Sequence, residues 1–518
     1  MILLLSSFST CIYAYAQQTP PGQAQQVPQQ TTPQMPTPPV QPPPPPPLPM
    51  GPYVVNDSNL AVQVVASGLR HPTSMAFLGN NDILVLEKEH GTVRRIVNGT
   101  LLPAPLLDVN VAGADERGML GIAVSKDGTG PGSANGTTTP VTHVFLYFTQ
   151  SPDRDESDER NGTTPIANRL YKYDLIGDKL VNGKLLLELP AKYASHHNGG
   201  KLIIGPDNNL YLTVGDQQDP GRTRLTHLTA AQNMHGALYP DGTSGILRIT
   251  QDGKPVKNIL GGKYPIDLYY AYGIRNSFGI DFDPVTGKLW DTENGPDYGD
   301  EINLVEPGFN SGWRYVEGFP DNKTDLSQLI EFPGLSSGEN SLFDIAERLY
   351  FKIQGIGGKF SEPEFVWKLT IAPTALQFLD SQKLGEKYEN DLFVASFNRG
   401  EIYHFDLAQN RTALKLTGSL EGKVENNPAG SPDIRFATNF GGITDMKVGP
   451  DGYLYVVSFI DGKIYRILPK EAVANSSSIN IPEFPIGGIA TEALVVSIAF
   501  ASIILVRRFY LSNKMPIL

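Results

Sequence analysis

Four short stretches of the chain combine residue types that can do chemistry. His196-His197-Asn198-Gly199-Gly200-Lys201-Leu202 sets histidines beside two glycines at the entry to an apolar run. Histidine is the side chain best placed to take a proton near neutral pH, and glycine lets a ligand approach the backbone. A loop histidine that only caps a strand fits the same residues. Gly273-Ile274-Arg275-Asn276-Ser277-Phe278-Gly279 puts a fixed cation next to an amide between apolar segments. Arg275 can stabilise an oxyanion or grip a carboxylate with two parallel bonds; it can equally serve as a structural cation on backbone carbonyls. Thr292-Glu293-Asn294-Gly295-Pro296, Asp300-Glu301-Ile302-Asn303 and Gly308-Phe309-Asn310-Ser311-Gly312-Trp313 follow one another closely and are rich in oxygen donors. Such hard donors suit Ca2+ better than zinc or copper, although polar residues that cap strands have the same composition. Glu116-Arg117-Gly118-Met119-Leu120-Gly121 is a charged pair before a small apolar turn, suited to lining a channel.

These loops need a scaffold, and the sequence between about 53 and 470 repeats one. A short apolar strand, a turn of the Pro-Asp-Gly kind, an apolar or aromatic strand, then glycine and a further strand recur. The clearest copy is Ile443–Leu468, with Asp451-Gly452 at the turn, Tyr453–Ser458 as a strand and Gly462–Ile467 as the next. Further copies start near Thr73, Gly118, Gly200, Gly279 and Thr374, which makes six. Period-two alternation with Asp-Gly or Asn-rich turns marks hairpins. Repeats of this size built from short strands predict an all-β, six-bladed β-propeller rather than an array of sandwiches. Long insertions are expected at Thr129–His143 and Asn310–Pro373.

Composition narrows the chemistry. The 518 residues carry 42 basic and 54 acidic side chains, a net charge of −12, which speaks against nucleic acid as a partner. The single cysteine, Cys11, excludes a disulfide framework and a thiolate zinc site. The HExxH, GxxxxGK[ST] and GxGxxG patterns are absent, so zincin, P-loop and simple dinucleotide folds lack their signatures.

The ends speak of location. Residues 1–16 are apolar and close on Ala14-Tyr15-Ala16, as a secretory signal would, though without a basic start. Residues 17–52 are rich in Pro and Gln and read as a disordered spacer. After a linker over 471–485, the apolar stretch Ile486–Val506 has the length to span a bilayer, and Arg507, Arg508 and Lys514 behind it place the tail 507–518 in the cytoplasm. A C-terminal transmembrane helix, with the propeller outside the cell, is therefore expected. Pro482-Glu483-Phe484-Pro485 ahead of that stretch resembles the PEF-type sorting tags of archaeal surface proteins.

Taken together, the four stretches resemble the glucose/sorbosone dehydrogenase family, soluble quinoproteins that oxidise aldoses with pyrroloquinoline quinone (PQQ). The resemblance covers about Leu60–Leu468 and is strongest over Tyr272–Trp313. It implies a six-bladed propeller, a sugar substrate, PQQ and Ca2+ as cofactors, and a further electron acceptor. It implies His197 as general base, Arg275 beside the quinone with Asn276 as a polar contact, and Gly295 and Pro296 as carbonyl ligands of the Ca2+ that holds PQQ. Asp321, or less directly Glu301, would serve a second, structural Ca2+, and Thr370 a cofactor contact. The chain also departs from the family. Two arginines that clamp PQQ carboxylates are missing from Gly441-Gly442-Ile443-Thr444-Asp445. Asn398 replaces a lysine, Lys368 an aromatic cover, and Phe278 and Glu116 two glutamines; Glu116 and Asn398 are still expected to contact the cofactor. PQQ has three carboxylates, so these losses leave open a non-catalytic ligand-binding propeller or a Ca2+-dependent lactone hydrolase.

Overall fold

The computed structural model describes residues 52–126, 141–152, 165–191, 195–217, 241–256, 259–261, 263–313, 317–319, 358–426 and 433–477. The chain divides into a unit of residues 1–47 and a unit of residues 48–518, and everything below concerns the second. The expected signal, nearly all of the spacer, the sorting motif, the apolar stretch Ile486–Val506 and the tail lie outside the described residues. Among the described residues no helix is long and apolar enough to cross a membrane.

The fold is an all-β propeller. Among the described residues its strands form six sheets, led in chain order by Pro72–Gly79, Met119–Lys126, Leu202–Ile204, Ser277–Phe282, Pro373–Phe378 and Ile443–Val448. Each leading strand pairs antiparallel with the next strand of its sheet. The sixth sheet takes its outer strand from the other end of the chain. Leu60–Ser67 pairs antiparallel with Lys463–Pro469, with Val62 opposite Ile467, and the two ends are thereby joined. The short Val54–Val55 strand does the same for the fifth sheet, on Arg435–Thr438.

Hydrophobic clusters fill the spaces between neighbouring sheets. One joins Phe145 and Tyr147 of the second sheet to Leu210 and Leu247 of the third. Another joins Val85 and Ile96 of the first to Val457 and Ile464 of the sixth, so the series returns to its start. This explains one difference from the expected alternation. The second strands Leu210–Val214, Leu289–Glu293, Leu392–Ser396 and Leu454–Ser458 are buried at every residue. Each sheet has a neighbour on both faces, so its inner strands carry apolar runs, and period two survives only toward the edges. A Leu or Phe so buried contributes about 1.5–3 kcal/mol.

Polar side chains of the leading strands bind the neighbouring sheet directly. Ser74 Oγ donates to Leu120 O at 2.9 Å, Thr444 Oγ1 to Pro72 O at 2.8 Å, and Gln377 Nε2 to Asp281 Oδ2 at 2.7 Å. Across the ring, Lys201 of the third sheet pairs with Asp445 of the sixth.

Two boundaries need correction. The stretch Asn310–Pro373 is not wholly an insertion, because Phe365–Trp367 pairs with Asp300–Val305 and extends the fourth sheet, burying Trp367 completely. The expected linker begins as helix, over Lys470–Ser477.

Candidate active site

Two kinds of position face a common pocket: the start of the leading strand, and, in the first, fourth, fifth and sixth sheets, the turn after the second strand. From the first position come Thr73 and Ser74, Glu116 and Leu120, His197 with Gly199 to Lys201, Arg275, Asn276 and Phe278, Thr370, Ala372 and Thr374, and Thr444. From the second come Lys88 and Glu89, Asn294 to Pro296, Phe397 and Asn398, and Phe459. The pocket has a volume of about 790 Å³. Residues more than 300 apart in the chain share it because the ring brings equivalent loops to one end.

His197 sits at φ +58°, with Gly199 at +62° and Gly200 at +114°. A Cβ on Gly200 would lie 2.6 Å from Leu120 Cβ, and one on Gly199 2.5 Å from Thr213 O, so this turn is tight against two sheets. The buried His197 ring is fixed by Asp216, whose Oδ1 lies 2.6 Å from Nδ1. Trp313 Nε1 donates to the other oxygen of Asp216 at 2.6 Å. Burial alone would raise the Asp216 pKa, but His197, Arg275 and the Trp313 N–H outweigh it and hold the carboxyl below its ordinary range. An ionised Asp216 keeps the proton on Nδ1 and leaves Nε2 as the ring's acceptor.

Arg275 lies beside this couple. Its guanidinium stands over the Trp313 ring at 5.5 Å and donates from Nη1 to Asn294 O at 2.6 Å. The buried Arg275 Nε and Asn276 Oδ1 have no hydrogen-bond partner among the described residues. Buried polar groups are rarely left so, and both residues line the pocket. Glu116 ties the pieces together: its Oε2 accepts from the His197 backbone N–H at 2.7 Å and from Asn276 Nδ2 at 2.9 Å.

Gly295 and Pro296 line the same pocket with Asp300 behind them. Asp300 accepts from Gly295 N at 2.8 Å through Oδ1, and from Ile371 N and Ala372 N at 2.6 and 2.9 Å through Oδ2. One carboxyl thus joins the Gly-Pro turn to the loop that carries Thr370. Burial raises the Asp300 pKa to about 6, against the pull of those three N–H groups.

Of the residues expected to act, the pocket brings together His197, Arg275, Asn276, Glu116, Gly295, Pro296, Thr370 and Asn398. Glu301, expected less directly at a second, structural Ca2+, does not line this pocket. It is buried away from the pocket, where Oε1 accepts from Gly318 N and Oε2 from Asn303 Nδ2 at 3.2 Å. Among the described residues, the one acid–histidine group with ligand atoms within 4.8 Å of one another is Asp391, His404 and Asp406, on the fifth sheet. Asp321 lies outside the described residues. Asp216 escaped the sequence reading, and its only signal is Gly215-Asp216 directly after a buried apolar strand.

The fold and the pocket define a propeller protein with a buried histidine–aspartate couple beside an arginine. The chain belongs to the family Glucose / Sorbosone dehydrogenase, whose model matches residues 69–333 and 352–466. It is 26% identical over 394 residues to quinoprotein glucose dehydrogenase B of Acinetobacter calcoaceticus, covering 67% of this chain and 78% of that protein. It is 26% identical over 414 residues to the aldose sugar dehydrogenase YliI of Escherichia coli, covering 79% and 93%. The PQQ-bound structure of an aldose sugar dehydrogenase from Streptomyces coelicolor has the same fold, with a TM-score of 0.51 at 23% identity, covering 80% of this chain and 99% of that one.

Proposed function

We propose that the protein oxidises an aldose to its lactone, with His197 as general base and with PQQ and Ca2+ as cofactors, on a propeller whose six sheets are its six blades. The observation that carries this reading is the His197–Asp216 couple set beside Arg275 in one pocket. The residues present fit the cofactor at that end: Arg275 Nε and Asn276 Oδ1 are buried and lack partners among the described residues. Arg275, Asn276 and Thr370 would hold the quinone, and the Gly295-Pro296 turn would hold Ca2+. When bound, PQQ supplies an acceptor for the hydrogen and electron pair that leave the anomeric carbon. His197 Nε2 takes the proton of the anomeric hydroxyl, and the C–O bond gains its second component as the C–H pair departs. Ionised Asp216 stabilises the imidazolium this creates. Arg275 offers its guanidinium to negative charge that develops beside it, in a site where burial strengthens the interaction.

The test is dye-linked oxidation of a panel of aldoses by the full chain supplied with PQQ and Ca2+. Turnover that requires both supports the reading. Sugar binding without turnover, and without PQQ binding, favours a ligand-binding propeller, and lactone hydrolysis without PQQ favours a Ca2+-dependent hydrolase. We further propose export, with residues 1–16 as signal and Ile486–Val506 as anchor, on sequence grounds. Protease added to intact cells should then digest the propeller.

A further inference from the structure

The pocket has two unlike halves. The second, third and fourth sheets bring Glu116, His197, Arg275 and Asp300 to it. The fifth and sixth bring Thr374, Phe397, Asn398, Thr444 and Phe459, and no described residue lining that half is ionisable. Nearby cations are already engaged. Lys88 Nζ donates to Glu89 at 3.1 Å and to Gly113 O at 2.9 Å, and Lys201 pairs with Asp445.

Phe397 and Phe459 are equivalent in the two sheets. Each follows the serine that ends a second strand, Ser396 or Ser458, and each turn closes on a glycine, Gly400 or Gly462. The serine hydroxyls fix both turns, accepting from Arg399 N at 3.1 Å and from Asp461 N at 3.3 Å. The phenylalanine backbones are pinned as well, Phe397 N to Ala372 O at 2.8 Å and Phe459 N to Gly442 O at 2.9 Å. The two rings meet edge to face at 5.6 Å and 63°. His71 stacks on Phe459 at 4.5 Å and 11°, and Glu89 holds His71 through a 2.8 Å contact to Nδ1.

We infer that Phe397 and Phe459, with His71 stacked on Phe459, form an aromatic ledge that holds the end of the cofactor remote from His197 by ring contact, in place of a cationic clamp. The inference rests on reading the pocket as a quinone site. A carboxylate placed on these rings gives up water and gains no cation, so the ledge favours planar ring surface and leaves carboxylates to solvent. Binding held this way does not depend on salt, as a charged clamp would.

The experiment compares binding of PQQ and of its neutral trimethyl ester to the full chain with Ca2+, by calorimetry at low and high salt. The proteins are wild type, Phe397→Leu, Phe459→Leu and Asn398→Lys, with melting curves to show that each is folded. Wild type is expected to bind the ester at least as tightly as PQQ, with little effect of salt. Each leucine variant should bind both probes about 3- to 10-fold more weakly, the scale of an aromatic contact. Asn398→Lys should tighten PQQ alone and make its binding salt-sensitive. PQQ bound far more tightly than its ester by wild type, with a steep salt dependence, overturns the ledge and leaves the quinone site standing. Unchanged affinity in both leucine variants does the same. If wild type binds neither probe, the quinone reading falls and the ledge with it.

Discussion

At the scale of single residues, the proposed chemistry depends on which nitrogen of His197 carries its proton. Asp216 decides that, and Trp313 keeps Asp216 oriented. His197→Ala should lower sugar oxidation by about 10²–10⁴-fold while PQQ binding and melting temperature stay near wild type. Asp216→Asn keeps the shape but offers an amide to Nδ1, and the tautomer is no longer enforced. Its turnover should fall by about 10²-fold or more, with the acid limb of the kcat–pH profile displaced. An Asp216→Asn profile that overlays the wild type would show that the couple does not set the base. Turnover that survives His197→Ala would move the role to His196, which also lines the pocket.

At the scale of elements, loops hold the site and close contacts hold the loops. A Cβ on Gly215 would lie 2.4 Å from His197 O and 2.7 Å from Asn276 Oδ1. Gly215→Ala must therefore push His197 and Asn276 apart, and a small displacement of a base is costly to rate. Its kcat should drop much more than its melting temperature; parallel loss of both would mean the turn is structural only. The Gly295-Pro296 turn depends on Asp300, which also carries the Thr370 loop. If Ca2+ sits at that turn, adding Ca2+ to chelated protein should raise the melting temperature with rising concentration, as for any ligand of the native state, and Mg2+ should do so less. Identical curves with Ca2+ and with chelator would remove the ion from this turn.

At the scale of the whole molecule, burial of acids among six sheets shapes the response to pH. Asp281 accepts from Gln377 Nε2 and Phe378 N between the fourth and fifth sheets. Burial raises its pKa from 3.8 to about 6, although Phe378 N, Lys447 and Lys201 pull the other way. Burial also raises Asp291 and Glu317 well above their ordinary range. A raised carboxyl stabilises the fold fully below its ordinary pKa, and the contribution is lost as pH climbs through the folded value. Asp283 works in the opposite sense. Arg411 and Thr286 overcome its burial and lower its pKa, so its contribution is lost only as pH falls below about 3.8. Calcium-free protein should then melt highest near pH 5 and lower toward pH 8. Asp281→Asn should flatten the part of that fall centred near pH 6, measured by scanning calorimetry. A melting temperature that rises steadily from pH 5 to 8 would contradict this.

The repeat from Thr73 to Leu468 shows in the sequence because hairpin turns and apolar runs are local, and local pattern is enough to imply a propeller. The histidine, the arginine and the Gly-Pro turn show for the same reason: each sits in a short stretch with glycine and polar neighbours. Asp216 does not stand out, because one acid after an apolar strand looks like any turn, and its meaning lies in His197, 19 residues earlier, and Trp313, 97 residues later. Glu301 and Asp300 are adjacent in sequence, yet strand alternation sends one into the interior and the other to the pocket. The strand Phe365–Trp367 is three residues long and takes its identity from the sheet it joins. The residue types that can do chemistry, and the repeat that carries them, were set by sequence alone. Which of them meet was decided only by the closed ring, because closure places the loops of distant repeats around one pocket, where His197 and Phe459 share one lining.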